Sequence, residues 1–304
     1  MTKESRQWKG KTGGGSFGQK SLFFIFKFVD VTIIYPTLLL VVPFYMLFNR
    51  TGYLSIIRYF KQAYNMSSMK AFMQTFKNHL IFGQVVLDKF AIIAGRKNFF
   101  STEVEGEEYI KELLSKKTGF IIASSHIGNF EAGGFVTQQD VKKIHALIYD
   151  GESEAIMKKR KQTLKDVNIN AISVKKDMSH LFLIKQALEN GEIITIPCDR
   201  VYGSNKNINR VFLGKEASFP LAPFRLAAQM NVPIVALFMM KDSAKKYHAY
   251  INPIEVKTEV QNIAKKAELL ATEFIRKCEE IVLKYPHQWF NFYNFWATEN
   301  IQHN

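Results

Sequence analysis

The sequence predicts an α/β fold, with a mixed central sheet flanked by helices behind a strongly apolar N-terminal helical segment. Three observations carry this. Past residue 100, short apolar runs alternate with amphipathic stretches, the pattern of strands and covering helices. Before residue 100, Val31 to Phe48 is an uncharged run of 18 residues. The chain has 304 residues, 47% of them apolar, which suffices for a buried core and excludes a disordered tail.

In chain order, residues 1–20 are polar, basic and glycine-rich, and read as a flexible lead-in. Residues 21–98 read as a membrane-associating helical segment. Between Ser21 and Phe48 only Lys27 and Asp30 are charged. Pro36 and Pro43 bend any helix there, and basic residues flank the run on both sides, so charge sets no orientation. A bent helix or shallow hairpin in one leaflet fits these facts, and a buried core helix is the competing reading. Phe72, Phe76, Leu80, Gly83, Leu87 and Phe90 then recur at helical spacing. Residues 99–304 read as the catalytic domain. Its strands are expected at 119–125, 143–149, 192–197, 232–239 and 248–254. Helices are expected near 105–117, 152–166, 178–190 and 221–230. Asp177 is the expected cap of the third and Gly191 its stop. A long last helix carries Ala264, Ala267, Ala271, Phe274, Cys278 and Ile281, and Pro286 ends it.

Composition narrows the function. A net charge of +14 with 26 Phe and 12 Tyr suits nucleic acid or an anionic membrane surface. The aromatics cluster in the apolar N-terminal segment and near the C-terminus, away from most lysine runs, which disfavours nucleic acid. Two cysteines, Cys198 and Cys278, exclude a disulfide scaffold and a four-cysteine zinc site. No metal-ligand spacing and no phosphate-binding glycine loop after a strand occur, so neither metal nor cofactor is expected.

In open α/β folds, chemistry gathers beyond the carboxyl ends of strands. Residues 119–134 read GFIIASSHIGNFEAGG, so a buried strand delivers Ser124, Ser125 and His126 to its end. Gly128 and Asn129 turn the chain, and Glu131 follows. A carboxylate on one ring nitrogen leaves the other to take a proton. His145 and Asp150 share the same spacing, but His145 sits inside a strand where the odd offset separates the two. A serine hydrolase using Ser124 or Ser125 lacks the glycine-flanked elbow that chemistry uses. A membrane-binding module without chemistry is the remaining alternative.

HIGNFE (His126 to Glu131) resembles the histidine-four-residues-acid motif of the lysophospholipid acyltransferase superfamily, and its context resembles the lipid A biosynthesis late acyltransferases. Three further blocks carry the likeness: IPCDRVYG (Ile196 to Gly203), the segment from Arg210 to Phe238, and YPHQWFNFYNFW (Tyr285 to Trp296). The resemblance implies acyl transfer from acyl carrier protein, or acyl-CoA, to a hydroxyl of a membrane lipid. It implies His126 as general base and Glu131 as the acid that orients it. Backbone groups near Gly128, or Arg200, would stabilise the oxyanion. Asn129, Asp199, Arg200, Arg210 and Arg225 are expected on the substrates. Arg200 stands where many lipid A enzymes carry glutamine, so a related glycolipid, an aryl polyene-type lipid or an aminolipid is also open as acceptor. The Trp289–Trp296 aromatics can pack the core, line an acyl channel or meet the membrane. The implied donor places the protein on the cytoplasmic face of an inner membrane.

Overall fold

A computed structural model describes residues 24–26, 28–130, 132, 141–149, 169–174, 178–201, 206–256 and 260–296. Its centre is a seven-stranded sheet. The strands are β1 (Ser101–Glu105), β2 (Phe120–Ser124), β3 (Ile144–Tyr149), β4 (Ile169–Val174), β5 (Ile193–Pro197), β8 (Ile234–Lys241) and β9 (Lys246–Pro253). Their order is β1-β9-β8-β2-β5-β3-β4. Every neighbouring pair is parallel except β8 and β9, which are antiparallel and reverse the direction of the β1 edge. The two remaining strands, β6 (Asn207–Phe212) and β7 (Lys215–Pro220), form a separate antiparallel hairpin.

Alternation along the strands builds two cores. Ile121, Ala123, Ile194, Ile196, Ala236 and Phe238 face one side. There they meet α3 (Arg50–Ala63), α6 (Ser179–Glu189), α7 (Ala222–Met230) and α8 (Ile263–Lys284). Phe120, Ile122, Ile193, Val235 and Leu237 face the other side, covered by Ile110, Leu113 and Leu114 of α5 (Glu107–Ser115). Side-chain oxygens start the long helices: Asn49 accepts from Gly52 N–H at 3.2 Å, Ser67 from Lys70 at 3.5 Å and Asn262 from Lys265 at 3.0 Å.

The expected strands all form, as do the helices near 105–117, 178–190 and 221–230 and the last helix before Pro286. The helix expected at 152–166 and the cap Asp177 lie outside the described residues. Four strands, β1, β4, β6 and β7, were not expected.

The apolar segment is a broken helix. α1 (Val31–Ile34) runs into a single 3₁₀ turn, Tyr35–Thr37 at Pro36, and then into α2 (Leu38–Phe48), which contains Pro43. Val31, Leu38, Val42 and Met46 pack on α4 (Ser68–Ala91), where Gly83 leaves room for Leu38. The opposite face is bare: Leu40 is 73% exposed, Phe44 63% and Phe48 88%. The apolar stripe of α4 meets this segment through Phe76, Leu80, Leu87 and Phe90. Phe72 of the same stripe is exposed. The other face of α4 is polar yet more deeply buried, carrying Thr75, Asn78, His79 and Asp88. A helix covered on two sides does not reveal its deeper face by hydrophobic periodicity alone.

Candidate active site

The site grows from one pairing in the sheet. β2 and β5 run parallel in the register Ser124 to Pro197. Two residues beyond each partner stand His126 and Asp199. The Cys198 N–H donates to the Ser124 carbonyl at 2.8 Å, extending the ladder past the strand ends. The His126 backbone N–H donates to Asp199 Oδ2 at 2.8 Å. His126 Nδ1 lies 3.0 Å from Asp199 Oδ1 and 3.1 Å from Oδ2.

Burial opposes ionisation of Asp199. The charge and hydrogen bond of His126 and the charge of Arg200 outweigh it and hold the carboxyl below its ordinary range. An ionised carboxylate only accepts, so the neutral imidazole carries its proton on Nδ1 and its lone pair on Nε2. That is the tautomer of a general base. The His126 side chain is 23% exposed while that of Asp199 is 7% exposed, so the ring reaches solvent and its partner does not.

The turn after His126 is gripped from two sides. On one side, the Gly128 N–H donates to the Gln288 carbonyl at 2.7 Å and Phe290 N–H to the His126 carbonyl at 3.0 Å, with Ile127 bridging Trp289. On the other, the Asn129 N–H donates to the Met239 carbonyl at 2.7 Å. The Gln288 segment is itself anchored. Its amide accepts from Lys241 N–H at 2.9 Å and donates to the Lys241 carbonyl at 2.7 Å, and Asn78 donates to the carbonyls of His287 and Trp289. The C-terminal aromatic block is therefore a clamp on the His126 turn. Trp289, 1% exposed, packs against Tyr59, Phe212, Phe295 and Trp296.

Gly128 has φ +62°, and a Cβ there would stand 2.2 Å from the Met239 carbonyl oxygen. Gly128→Ala is expected to cost at least about 2 kcal/mol, combining left-handed strain with displacement of the β8 end. Denaturant unfolding of the variant beside the parent measures it.

Two expectations concern this turn. Its backbone amides at Gly128 and Asn129 already donate to carbonyls, so they do not supply an oxyanion hole. Asn129 is 2% exposed and its amide donates to the Tyr247 hydroxyl at 3.3 Å, which turns it inward. Asp199, expected on the substrates, bonds His126. Glu131 lies outside the described residues.

Arg200 follows Asp199. Its Nη2 donates to the Phe290 carbonyl at 3.3 Å and its guanidinium lies 5.2 Å from the Tyr293 ring centre. Its Nε is buried with no partner among the described residues. Arg210 is held on the β6–β7 hairpin, its Nε donating to Thr272 of α8 at 3.0 Å and its Nη1 to the Asn209 carbonyl at 2.8 Å. Arg225 is half-buried on α7. The structure thus brings His126, Asp199 and Arg200 together and sets Arg210 and Arg225 on neighbouring elements. His145 pairs with Glu192 at 2.7 Å near the amino ends of β3 and β5, the opposite end of the sheet, and Asp150 lies outside the described residues.

Among the described residues, Glu103, Asp242 and His248 stand close enough to share an ion, a group the sequence spacing does not reveal. Lys246 pairs with Glu103 at 2.7 Å and Tyr285 donates to Asp242 at 2.8 Å, so both carboxylates are already engaged.

Comparison with known proteins returns one family. The model described as bacterial lipid A biosynthesis acyltransferase matches residues 70–298, which include the histidine turn, the Asp199 block and the aromatic clamp. No curated protein matches the chain.

Proposed function

The chain belongs to the bacterial lipid A biosynthesis acyltransferase family, and on that premise we propose that it moves a fatty acyl chain from a thioester donor to a hydroxyl of a lipid A-type or related membrane lipid. The observation that carries the mechanism is the Nδ1 contact of His126 with the buried Asp199 carboxylate. Nε2 takes the proton of the acceptor hydroxyl as its oxygen attacks the thioester carbonyl. Asp199 orients the ring and stabilises the imidazolium that results. Arg200, next to Asp199 in the chain, is proposed to stabilise the tetrahedral oxyanion with its guanidinium charge. The imidazolium then returns its proton to the leaving thiolate, and no acyl-enzyme forms. Glu131 keeps its proposed part as a second acid offsetting the histidine's positive charge. Arg210 and Arg225 are proposed to favour anionic groups of the donor or acceptor. No metal or further cofactor enters the reaction as proposed.

The donor is proposed to be acyl carrier protein, with acyl-CoA as the alternative. Because that carrier is cytosolic, the site is proposed to face the cytoplasm from the inner membrane. The bare face of α1 and α2 supports a seat within one leaflet. The helical run Val31–Phe48 has 18 residues, about 27 Å, near the lower limit for crossing the hydrocarbon core, but it is held along α4 rather than projecting from the domain. Replacing Leu40, Phe44 and Phe48 together by Lys is expected to lower co-sedimentation with phosphatidylethanolamine–phosphatidylglycerol vesicles by about 100-fold or more. Folding is expected to persist, since all three side chains are exposed.

Mass spectrometry of total lipids from cells with and without the active protein tests the proposal. A lipid gaining one acyl mass only with the active protein supports it and identifies acceptor and chain. Purified protein that transfers nothing from labelled acyl carrier protein or acyl-CoA to that lipid fraction would overturn it.

A further inference from the structure

A buried polar cluster lies behind the catalytic turn, and the proposed reaction does not use it. Its centre is Asp88 of α4, which is 0% exposed. Lys241 Nζ, at the end of β8, donates to Asp88 Oδ2 at 2.5 Å. The Tyr247 hydroxyl of β9 donates to the same oxygen, and the Tyr35 hydroxyl donates to Oδ1. Lys241 Nζ also donates to the Tyr35 hydroxyl at 3.0 Å and the Ala244 carbonyl at 2.9 Å.

Two ends of this cluster reach elements with a function. The Tyr247 hydroxyl accepts from Asn129 Nδ2, three residues past His126 in the turn. Tyr35 occupies the 3₁₀ break of the apolar segment, immediately before Pro36. From Tyr35 through Asp88 and Tyr247 to Asn129 there are three hydrogen bonds, all from side chains. Lys241 joins the second support of the same turn, since its main chain pairs with the Gln288 amide.

Stability alone is a poor reason for such a cluster. Taking Asp88 and Lys241 out of water costs about as much as their attraction returns, and apolar residues of similar volume serve a core as well. What it supplies is geometry: a fully buried carboxylate with directional donors fixes the positions of the groups that bind it. We propose that Tyr247 is a positioning residue for the His126 turn, held by Asp88, and that Tyr35 ties the apolar segment into the same network. The seat of that segment and the aim of His126 are then set by one anchor. The inference rests on the acyl-transfer reading for its kinetic consequence and on geometry alone for its structural one.

The test reads both consequences. Tyr247→Phe removes the bond from Asn129 and the donor to Asp88, and Tyr35→Phe removes the other tyrosine donor. Both keep the ring and its packing, and thermal unfolding checks that each variant is folded. Histidine ring-nitrogen NMR on isotope-labelled protein, assigned with a His126→Gln sample, reports the aim of His126 without turnover. Thr37→Val is the control, since it deletes a hydroxyl bonded to the Ile34 carbonyl in the same break but outside the network.

The expected result is a displaced His126 signal in both Tyr variants and an unchanged one in Thr37→Val. kcat falls about tenfold at unchanged KM for the lipid acceptor, and the double variant is no worse than the poorer single one. Displaced signals in a protein that transfers no acyl group even as wild type would uphold the positioning and defeat the acyl-transfer reading. A His126 signal and kcat that stay at wild-type values in Tyr247→Phe, or that move equally in Thr37→Val, overturn the inference.

Discussion

His126→Ala is expected to lower acyl transfer by about 10³-fold or more while leaving fold and vesicle binding intact. The magnitude follows from the chemistry. A lipid hydroxyl is a weak nucleophile at neutral pH, and a positioned base contributes about 10²–10⁴-fold. Removing the imidazole also leaves the Asp199 carboxylate without the group it orients, so water is a poor substitute. The substitution is mild for the fold. The ring is partly exposed, and the main-chain bonds that set the turn, His126 N–H to Asp199 and the His126 carbonyl from Phe290, do not require a side chain. Initial rates with a labelled thioester donor, together with circular dichroism and vesicle co-sedimentation, separate chemistry from folding and binding. Transfer at near wild-type rate with the Ala variant would remove His126 from the mechanism, whatever the family does elsewhere.

The central strands were legible because their residues are apolar on both faces, as in GFIIASS and EIITIP. The missed strands each lack that signature. β1, STEVE, is a largely exposed edge without an apolar run, and its last residue, Glu105, falls in the stretch expected to be helical. β4, INAISV, is an edge strand with one exposed and three half-buried positions. β6 and β7 turn through Leu213 and Gly214, both at positive φ. Leucine in the left-handed region is uncommon, so the turn carries no clear sequence signal.

The same contrast holds at the site. His126 was visible from a strand end followed by glycine. The partner that the structure gives it, Asp199, lies 73 residues on. The two meet because β2 and β5 are neighbours in register, a fact of topology rather than of local spacing. Asn78 and Asp88 were hidden for another reason. They sit on the polar face of an amphipathic helix, the face that ordinarily meets water, and here it meets the clamp and β8. A lone acid among Val85, Val86, Leu87, Ala91 and Ile92 is the signal that could have pointed to Asp88.

Asp199→Asn is expected to cost about 10²–10⁴-fold in kcat with little change in KM for the lipid acceptor. The argument is tautomeric. The His126 backbone N–H needs an acceptor at 2.8 Å, so an Asn introduced at 199 turns its amide oxygen toward it and its NH₂ toward Nδ1. Nδ1 then becomes the acceptor, the ring proton moves to Nε2, and the base arrives already protonated where it must accept. Loss of the carboxylate also withdraws support from the imidazolium, so the acid limb of the pH–rate profile moves to lower pH while the maximum falls.

Stability supplies an independent check with a definite sign. Asp199 is held below its ordinary range in the folded protein. Its contribution is therefore present above the unfolded carboxylate's pKa of about 3.9 and is lost as pH falls through the lower folded value. Denaturation of the parent and the Asn variant should differ at neutral pH and converge in acid. A stability difference independent of pH, together with an unshifted rate profile, would mean that Asp199 acts on His126 by packing rather than by charge.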